Sequence, residues 1–275
     1  MGKPRLTVAC CVSNIEAFEA CVLDSISFLR EDLDINIIPI YNEGNIYTAS
    51  IAANIALEIC KDRFLLYVHQ DVKFKPEASK KLASIIKNYP ENVAIVGAAG
   101  VRDTIYPELL GKWGNNEIPN ATAGKVWDQN DELIWDGSDY FHIVQSVDEV
   151  LMLIDRNSGL RFDPSWRGFH LYGLDFCLQA RSTGYQVAAT TIEIQHCGQY
   201  SSSLYHEANF MGRLVKLHEK WGMRFSQLCA PYCQWDNGRI VSYIPFALKD
   251  QFGQRIDVPR LSVTVTHEHN VSSPS

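Results

Sequence analysis

Over its first hundred positions the chain alternates short apolar runs with amphipathic stretches. "LTVACCV" (Leu6 to Val12) is rich in β-formers, and Ser13-Asn14 can cap the helical spacing that runs from Ile15 to Leu29. "INIIPIY" predicts a second strand and Tyr47 to Cys60 a second helix. "FLLYVH" predicts a third strand, Pro76 to Lys87 a third helix, and "VAIVGAAG" a fourth strand. Near-continuous apolar strands alternating with helices predict a mostly parallel sheet covered on both faces. In such sheets ligands bind at the carboxyl ends of the strands. Ser13-Asn14, Asn42-Glu43 and His69 to Asp71 all fall there.

From Val101 to Gln145 the periodicity fails, although Trp113, Trp127 and Trp135 argue against disorder. With Asn115-Asn116 these tryptophans suit either a sugar-facing loop or a packed β-insertion. Order resumes with "VDEVLMLID" as a strand, a helix from about Leu174 to Thr183, "YQVAATTIEIQH" as a strand ending on His196, and an amphipathic helix from Glu207 to Trp221. The expected architecture is one domain over residues 1–222, with a nucleotide-binding half (1–100) and an acceptor half (101–196). A C-terminal helical extension with a flexible tail follows over residues 223–275. His267 and His269 in that tail read as incidental.

Composition narrows the function. A net charge of −7 argues against nucleic acid as a partner, though one anionic small molecule can still find a local positive site. No run approaches the roughly 18 apolar residues of a membrane span. "MGKPRLTVACCVSN" lacks the core of a secretory signal, and Leu6 breaks the myristoylation pattern. Eight cysteines, most in apolar or helical patterns, read as reduced thiols of a cytoplasmic protein. Cys229 and Cys233 have no second ligand pair to make a zinc site.

Several motifs carry a resemblance. "SIAANIALEICKDRFLLYVHQDV" resembles the donor-binding core of family 2 glycosyltransferases, with Asn54 on the family's Asn and His69-Gln70-Asp71 on its D-x-D. "VACCVSNIEAFEACVLDSI" is similar to the family's opening strand and helix, with Asn14 and Glu16 on its Y-N-x-E. "RFDPSWRGFHLYGLDFCLQARSTGY" is similar to its acceptor-side segment. Within the family, V-H-Q-D-V, the D-x-C-L-Q-A stretch and "EKWG" resemble the streptomycin-biosynthesis-like subgroup.

The resemblance implies a GT-A fold, a Rossmann-like three-layer sandwich. It also implies a metal-dependent, inverting glycosyltransferase that uses a nucleotide-sugar, with a UDP-sugar favoured. The acceptor would be a saccharide or lipid-linked saccharide in surface polysaccharide assembly, which is compatible with peripheral membrane association. A divalent metal, Mn²⁺ or Mg²⁺, would neutralise the diphosphate leaving group. By position its ligands are Asp71 and His196, with His69 lining the site in place of the family's first Asp. Ser13, Asn14 and Glu16 would meet ribose and base, Asn42 the base edge, and Asn54 the donor.

The general base is less determined. The family's E-D pair reads Tyr172-Gly173 here, so the expected carboxylate is missing. Asp175 is the nearest substitute, and Glu149, Asp148 and His170 compete with it. Helix capping also accounts for Ser13-Asn14 and is compatible with a nucleotide contact, Asp175 also reads as a capping acid, and Asn54 as a helix residue bonding a neighbouring loop. A Gly- and Ser-rich stretch, "HCGQYSSSLYHEANF", suits closure over a diphosphate, with Arg213, Lys216 and Lys220 behind it. Two other functions share this logic. A sugar-phosphate nucleotidyltransferase would carry a Gly-rich basic loop after the first strand, and "CVSNIEAF" is neither. A non-catalytic nucleotide-sugar-binding protein would tolerate the missing acid.

Overall fold

A computed structural model describes residues 2–102, 122–198, 207–231, 233–242, 248–249, 255–256 and 261–264. The chain opens with β1 (Arg5–Val12), β2 (Asp34–Tyr41), β3 (Phe64–Val68), the short β4 (Val72–Phe74) and β5 (Val93–Gly97). A seven-stranded mixed sheet runs in the order His142–Val144, Gln186–Ala189, β5, Leu151–Asp155, β3, β1, β2. Leu151–Asp155 runs antiparallel between β3 and β5, and His142–Val144 is antiparallel at the edge. The other pairs are parallel. Successive side chains alternate between the two faces, as the pleat requires. In β3, Leu65 and Tyr67 enter one buried cluster while Phe64, Leu66 and Val68 enter the other.

Helices cover both faces, so the three-layer arrangement expected from the sequence is present. On one side lies a continuous helical stretch: α1 (Ile15–Phe18), a π-helical turn (Glu19–Leu23) and α2 (Asp24–Leu29), followed by α4 (Ala78–Lys87). On the other lie α3 (Ala49–Ile59), α5 (Tyr172–Ser182) and α6 (Glu207–Trp221). Side chains start two of these helices: Asn14 Oδ1 accepts from Ala17 N at 3.0 Å, and Thr48 Oγ1 accepts from Ile51 N at 3.3 Å.

Three expectations change, and one open alternative is decided. The strand expected over "VDEVLMLID" is interrupted, because Asp148 Oδ1 accepts from Val150 N at 2.7 Å and turns the chain before Leu151. "YQVAATTIEIQH" divides into Gln186–Ala189 and Ile194–His196, which join different sheets. The described part of the tryptophan-rich region is a β-insertion: Trp135 is buried and donates to Ala123 O at 3.1 Å, and Trp127 lies under Lys75 at 4.4 Å. Finally, the C-terminal extension is not helical. Gln227–Ala230, Cys233–Asp236, Arg239–Ser242 and Leu261–Thr264 form an antiparallel sheet.

Asn237-Gly238, both at positive φ, makes the hairpin turn that the alternating apolar residues around it need. Leu228, Ala230, Cys233, Trp235 and Ile240 bury into the same cluster as α5 and α6, so this segment is part of the core. The strand at Leu261–Thr264 likewise replaces a frayed start to the tail. Trp113, Asn115-Asn116, the Ser-rich stretch 199–206, His267 and His269 lie outside the described residues.

Candidate functional site

β3 ends at Val68, and the chain turns through His69-Gln70-Asp71 into β4. His69 N donates to Val150 O at 3.1 Å, which ties the turn to the interrupted strand carrying Asp148 and Glu149. Strand Ile194–His196 pairs antiparallel with β4, setting His196 opposite Val72, and Cys197 N donates to Asp71 O at 2.8 Å. This register delivers His196 from far along the chain. Ligand atoms of His69, Asp71 and His196 all lie within 4.8 Å of one another. The rings of His69 and His196 stand 5.8 Å apart, and the Tyr172 hydroxyl lies 3.4 Å from His69 Nε2.

The electrostatics suit a cation. Burial alone would raise the Asp71 carboxyl, but His196, His69 and a backbone N–H outweigh it and hold the group down at about 2. Burial pushes His69 down to about 4, so its imidazole is neutral at physiological pH and keeps a lone pair for a ligand. Burial also works against a charged His196, yet the Asp71 carboxylate outweighs it and raises the value.

Asp71 Oδ1 is buried without a hydrogen-bond donor, although His196 Nε2 is only 3.3 Å away. His196 and the Asp71 carboxylate attract each other across this distance, and with His69 they border one space closely enough to share an ion. Gly198 keeps that space open, since a Cβ there would collide with the Asp71 carboxylate. A donor set of two imidazoles and one carboxylate fits a divalent transition ion such as Mn²⁺ better than Mg²⁺.

The strand ends assigned to the nucleotide divide. Ser13, Asn14 and Glu16 are exposed at the exit of β1, where Asn14 caps α1. Asn42 is fully buried and spends its side chain internally, accepting from Tyr47 N at 2.8 Å and donating to Tyr47 O at 3.0 Å. It therefore presents no edge to a base. Asn54 is occupied in the same way, donating to Phe162 O at 2.8 Å and accepting from Phe162 N at 2.9 Å. Both asparagines brace loops; neither offers a free amide to a ligand.

The four candidate bases also separate. Asp175 is buried between α5 and α6, where its Oδ1 accepts from Lys220 Nζ at 2.7 Å and Trp221 Nε1 at 2.8 Å. That carboxylate is committed to joining two helices. Lys220 is shared with Asp163 at 2.6 Å, Lys216 is exposed, and Arg213 lies against Gly168. His170 is half-buried, and burial together with Arg213 lowers it to about 4.

Glu149 and Asp148 are buried beside the metal-ligand cluster, with Tyr172 close to both and Asp148 close to His196. Burial raises both carboxyls, and the charge of Asp148 raises Glu149 further. Glu149 Oε1 accepts from Leu171 N at 3.1 Å. Leu171 sits at φ 64, a left-handed conformation that is costly for leucine, at the entry to α5. A Cβ on Gly173 would meet Glu149 Cβ at 2.8 Å and Oε2 at 3.0 Å. Glu149 thus fills the space that an acid at 173 would occupy.

Residues 7–219 match the sequence profile described as "Glycosyltransferase like family". The chain belongs to that family. The His-Asp-His cluster lies within the matched residues. A curated relative from Fuscovulum blasticum, described as "ATP synthase subunits region ORF 6", is 27% identical over 159 residues, or 57% of this chain and 60% of the relative.

Two solved structures overlap more loosely. A mannosyltransferase from Pyrobaculum calidifontis in complex with GDP-Man and Mn²⁺ is 14% identical, covering 83% of this chain and 66% of its own, with a TM-score of 0.49. S. aureus TarS in complex with UDP-GlcNAc is 9% identical, covering 80% and 66%, with a TM-score of 0.46. This glycosyltransferase-like chain thus spans about two-thirds or less of the length of these three proteins.

Tyr172, Gln70 and Gly198 join the site without having been singled out as site residues. Tyr172 was visible only as the residue displacing the family's Glu. Gln70 sat at the variable centre of the motif, and Gly198 in a stretch noted only for being Gly- and Ser-rich.

Proposed function

We propose that this chain is a metal-dependent, inverting glycosyltransferase that moves a sugar from a nucleoside-diphosphate sugar, with a UDP-sugar favoured, to a saccharide or lipid-linked saccharide acceptor in glycan assembly. The observation that carries the reading is the triangle of His69, Asp71 and His196 at the carboxyl end of β3, in a chain of the glycosyltransferase-like family. These three residues would hold the ion, and their imidazole content favours Mn²⁺ over Mg²⁺. When bound, the ion supplies Lewis-acid neutralisation of the charge that builds on the departing diphosphate. Ser13, Asn14 and Glu16, exposed at the exit of β1, face the nucleoside end of the donor.

Glu149 takes the role of base. The acceptor oxygen attacks the anomeric carbon on the face opposite the diphosphate, the glycosidic bond to the diphosphate breaks, and the hydroxyl proton passes to the Glu149 carboxylate. A raised affinity for protons suits that step; burial produces it and the charge of Asp148 adds to it. In this reading the glycosyltransferase unit lies within residues 1–222, as the family match over 7–219 supports, and the C-terminal strands complete its core. The streptomycin-biosynthesis-like pattern, a cytoplasmic setting and peripheral association with a membrane-borne acceptor belong to the same proposal.

Calorimetric titration of UDP and GDP with and without Mn²⁺ tests it. One of the two nucleotides is expected to bind only with the ion, and Asp71→Ala is expected to lose that binding and roughly a hundredfold or more of nucleotide-sugar turnover. If neither nucleotide shows metal-dependent binding, the proposal fails. Binding without turnover of any nucleotide-sugar would leave the non-catalytic binding protein instead.

A further inference from the structure

Between the two metal-ligand candidates of the turn stands Gln70, whose side chain leaves the cluster and crosses to the neighbouring strand. Its Oε1 accepts from the backbone N–H groups of Ser13 at 2.9 Å and Asn14 at 2.8 Å. Its Nε2 lies 3.2 Å from Ser13 Oγ, completing the contact. Strands β1 and β3 pair in parallel from Thr7↔Leu65 to Cys10↔Val68, and there their ladder stops. Beyond it β1 stays with β2 as far as Val12↔Tyr41, while β3 turns away into His69. The two strand exits thus part where a ligand of this sheet would lie. Gln70 is a side-chain rung thrown across that gap.

We infer that Gln70 is a positioning residue that sets the spacing between the β1 exit and the Asp71 cluster, so that one nucleoside diphosphate can engage both at once. The inference rests on the proposed nucleotide site and adds to it a residue that touches neither the ion nor the reacting atoms. A donor held at its diphosphate near Asp71 and at its ribose near Ser13-Asn14 spans the rung. With the rung in place the two subsites are fixed before the ligand arrives, and without it binding must order them. A merely structural role would look different. Ser13 and Asn14 are exposed, so water can satisfy their N–H groups when Gln70 is removed. Fold and ion affinity should then survive, and the loss should appear only when both subsites are used together.

Gln70→Met keeps length and bulk but offers only a weak thioether acceptor, whereas Gln70→Glu keeps oxygen acceptors at the same reach. Mn²⁺ binding to the ligand-free protein, followed by electron paramagnetic resonance, should stay within about twofold of wild type in Gln70→Met. Binding of UDP or GDP in the presence of Mn²⁺, whichever the wild type takes, should weaken about tenfold, as loss of two ordinary hydrogen bonds implies. KM for the nucleotide-sugar should rise more than kcat falls, and Gln70→Glu should recover affinity relative to Gln70→Met. Wild-type nucleotide affinity in Gln70→Met overturns the inference and leaves the nucleotide site standing. Loss of Mn²⁺ binding itself in Gln70→Met also overturns it, because Gln70 would then be supporting Asp71 alone. Failure of wild type to bind either nucleotide with Mn²⁺ defeats the site reading, and the inference with it.

Discussion

Two carboxyls buried side by side, Asp148 and Glu149, pay for their position in proton affinity, because an ionised acid is poorly solvated there. A carboxyl raised on folding contributes stability that is fully present below its unfolded value and is lost as pH climbs through its raised value. Wild type should therefore lose melting temperature between about pH 5 and pH 9, and Glu149→Gln should show a flatter profile over that range. The same variant keeps an oxygen for Leu171 N–H, so it should fold, yet turnover should fall by roughly a hundredfold or more if Glu149 takes the proton. Melting curves across pH together with steady-state rates check both halves. An unchanged rate would remove Glu149 as base. In the sequence, Glu149 was one of several acids near a missing one. The closeness of Gly173 to its side chain singles it out, and that closeness joins the turn after Val147 to a helix that no spacing rule connects with it.

Between α5 and α6 the chain uses Asp175 as a fastener, with Lys220 and Trp221 both donating to one carboxylate oxygen. Asp175→Ala leaves these donors short of a buried acceptor and should cost about 1–3 kcal/mol, read as a lower denaturant midpoint. Activity per folded molecule should be retained; a large fall in kcat with stability intact would return Asp175 to the chemistry. Elements of this kind were easiest to read where one face alternates or repeats. β1 to β3, α3, α4 and α6 lie within a few residues of the expected bounds because apolar spacing governs them. The breaks at Asp148 and after Ala189 were not legible. The first is a local side-chain turn inside a run whose apolar pattern reads as one strand, and the second is a change of sheet set by partners from elsewhere in the chain.

Across the whole molecule, the antiparallel strands after residue 226 finish the cluster that α5 and α6 begin. Trp235 is fully buried and donates from Nε1 to Phe225 O at 2.6 Å. Trp235→Ala should destabilise the entire protein by about 3–5 kcal/mol and keep unfolding a single transition, monitored by circular dichroism and by a probe in the central sheet. Two separate transitions would make the C-terminal sheet an independent unit. The sandwich itself was legible because both faces of the sheet are apolar. The C-terminal sheet was not, although Asn237-Gly238 offered a hairpin signal among alternating apolar residues.

The three-residue ladder between Ile194–His196 and β4 has a consequence for how the site comes into being. Segments distant in the chain meet there through few bonds, and a slip of one residue would turn His196 to the opposite face. The ion site therefore cannot exist before the long-range topology is complete. Any ion that binds it becomes a clip across a large loop, favouring the folded chain by an amount that grows with the logarithm of its concentration above the dissociation constant. Rising Mn²⁺ should lift the melting temperature progressively, a chelator should bring it back down, and exchange of the Cys197 amide should slow as the clip closes.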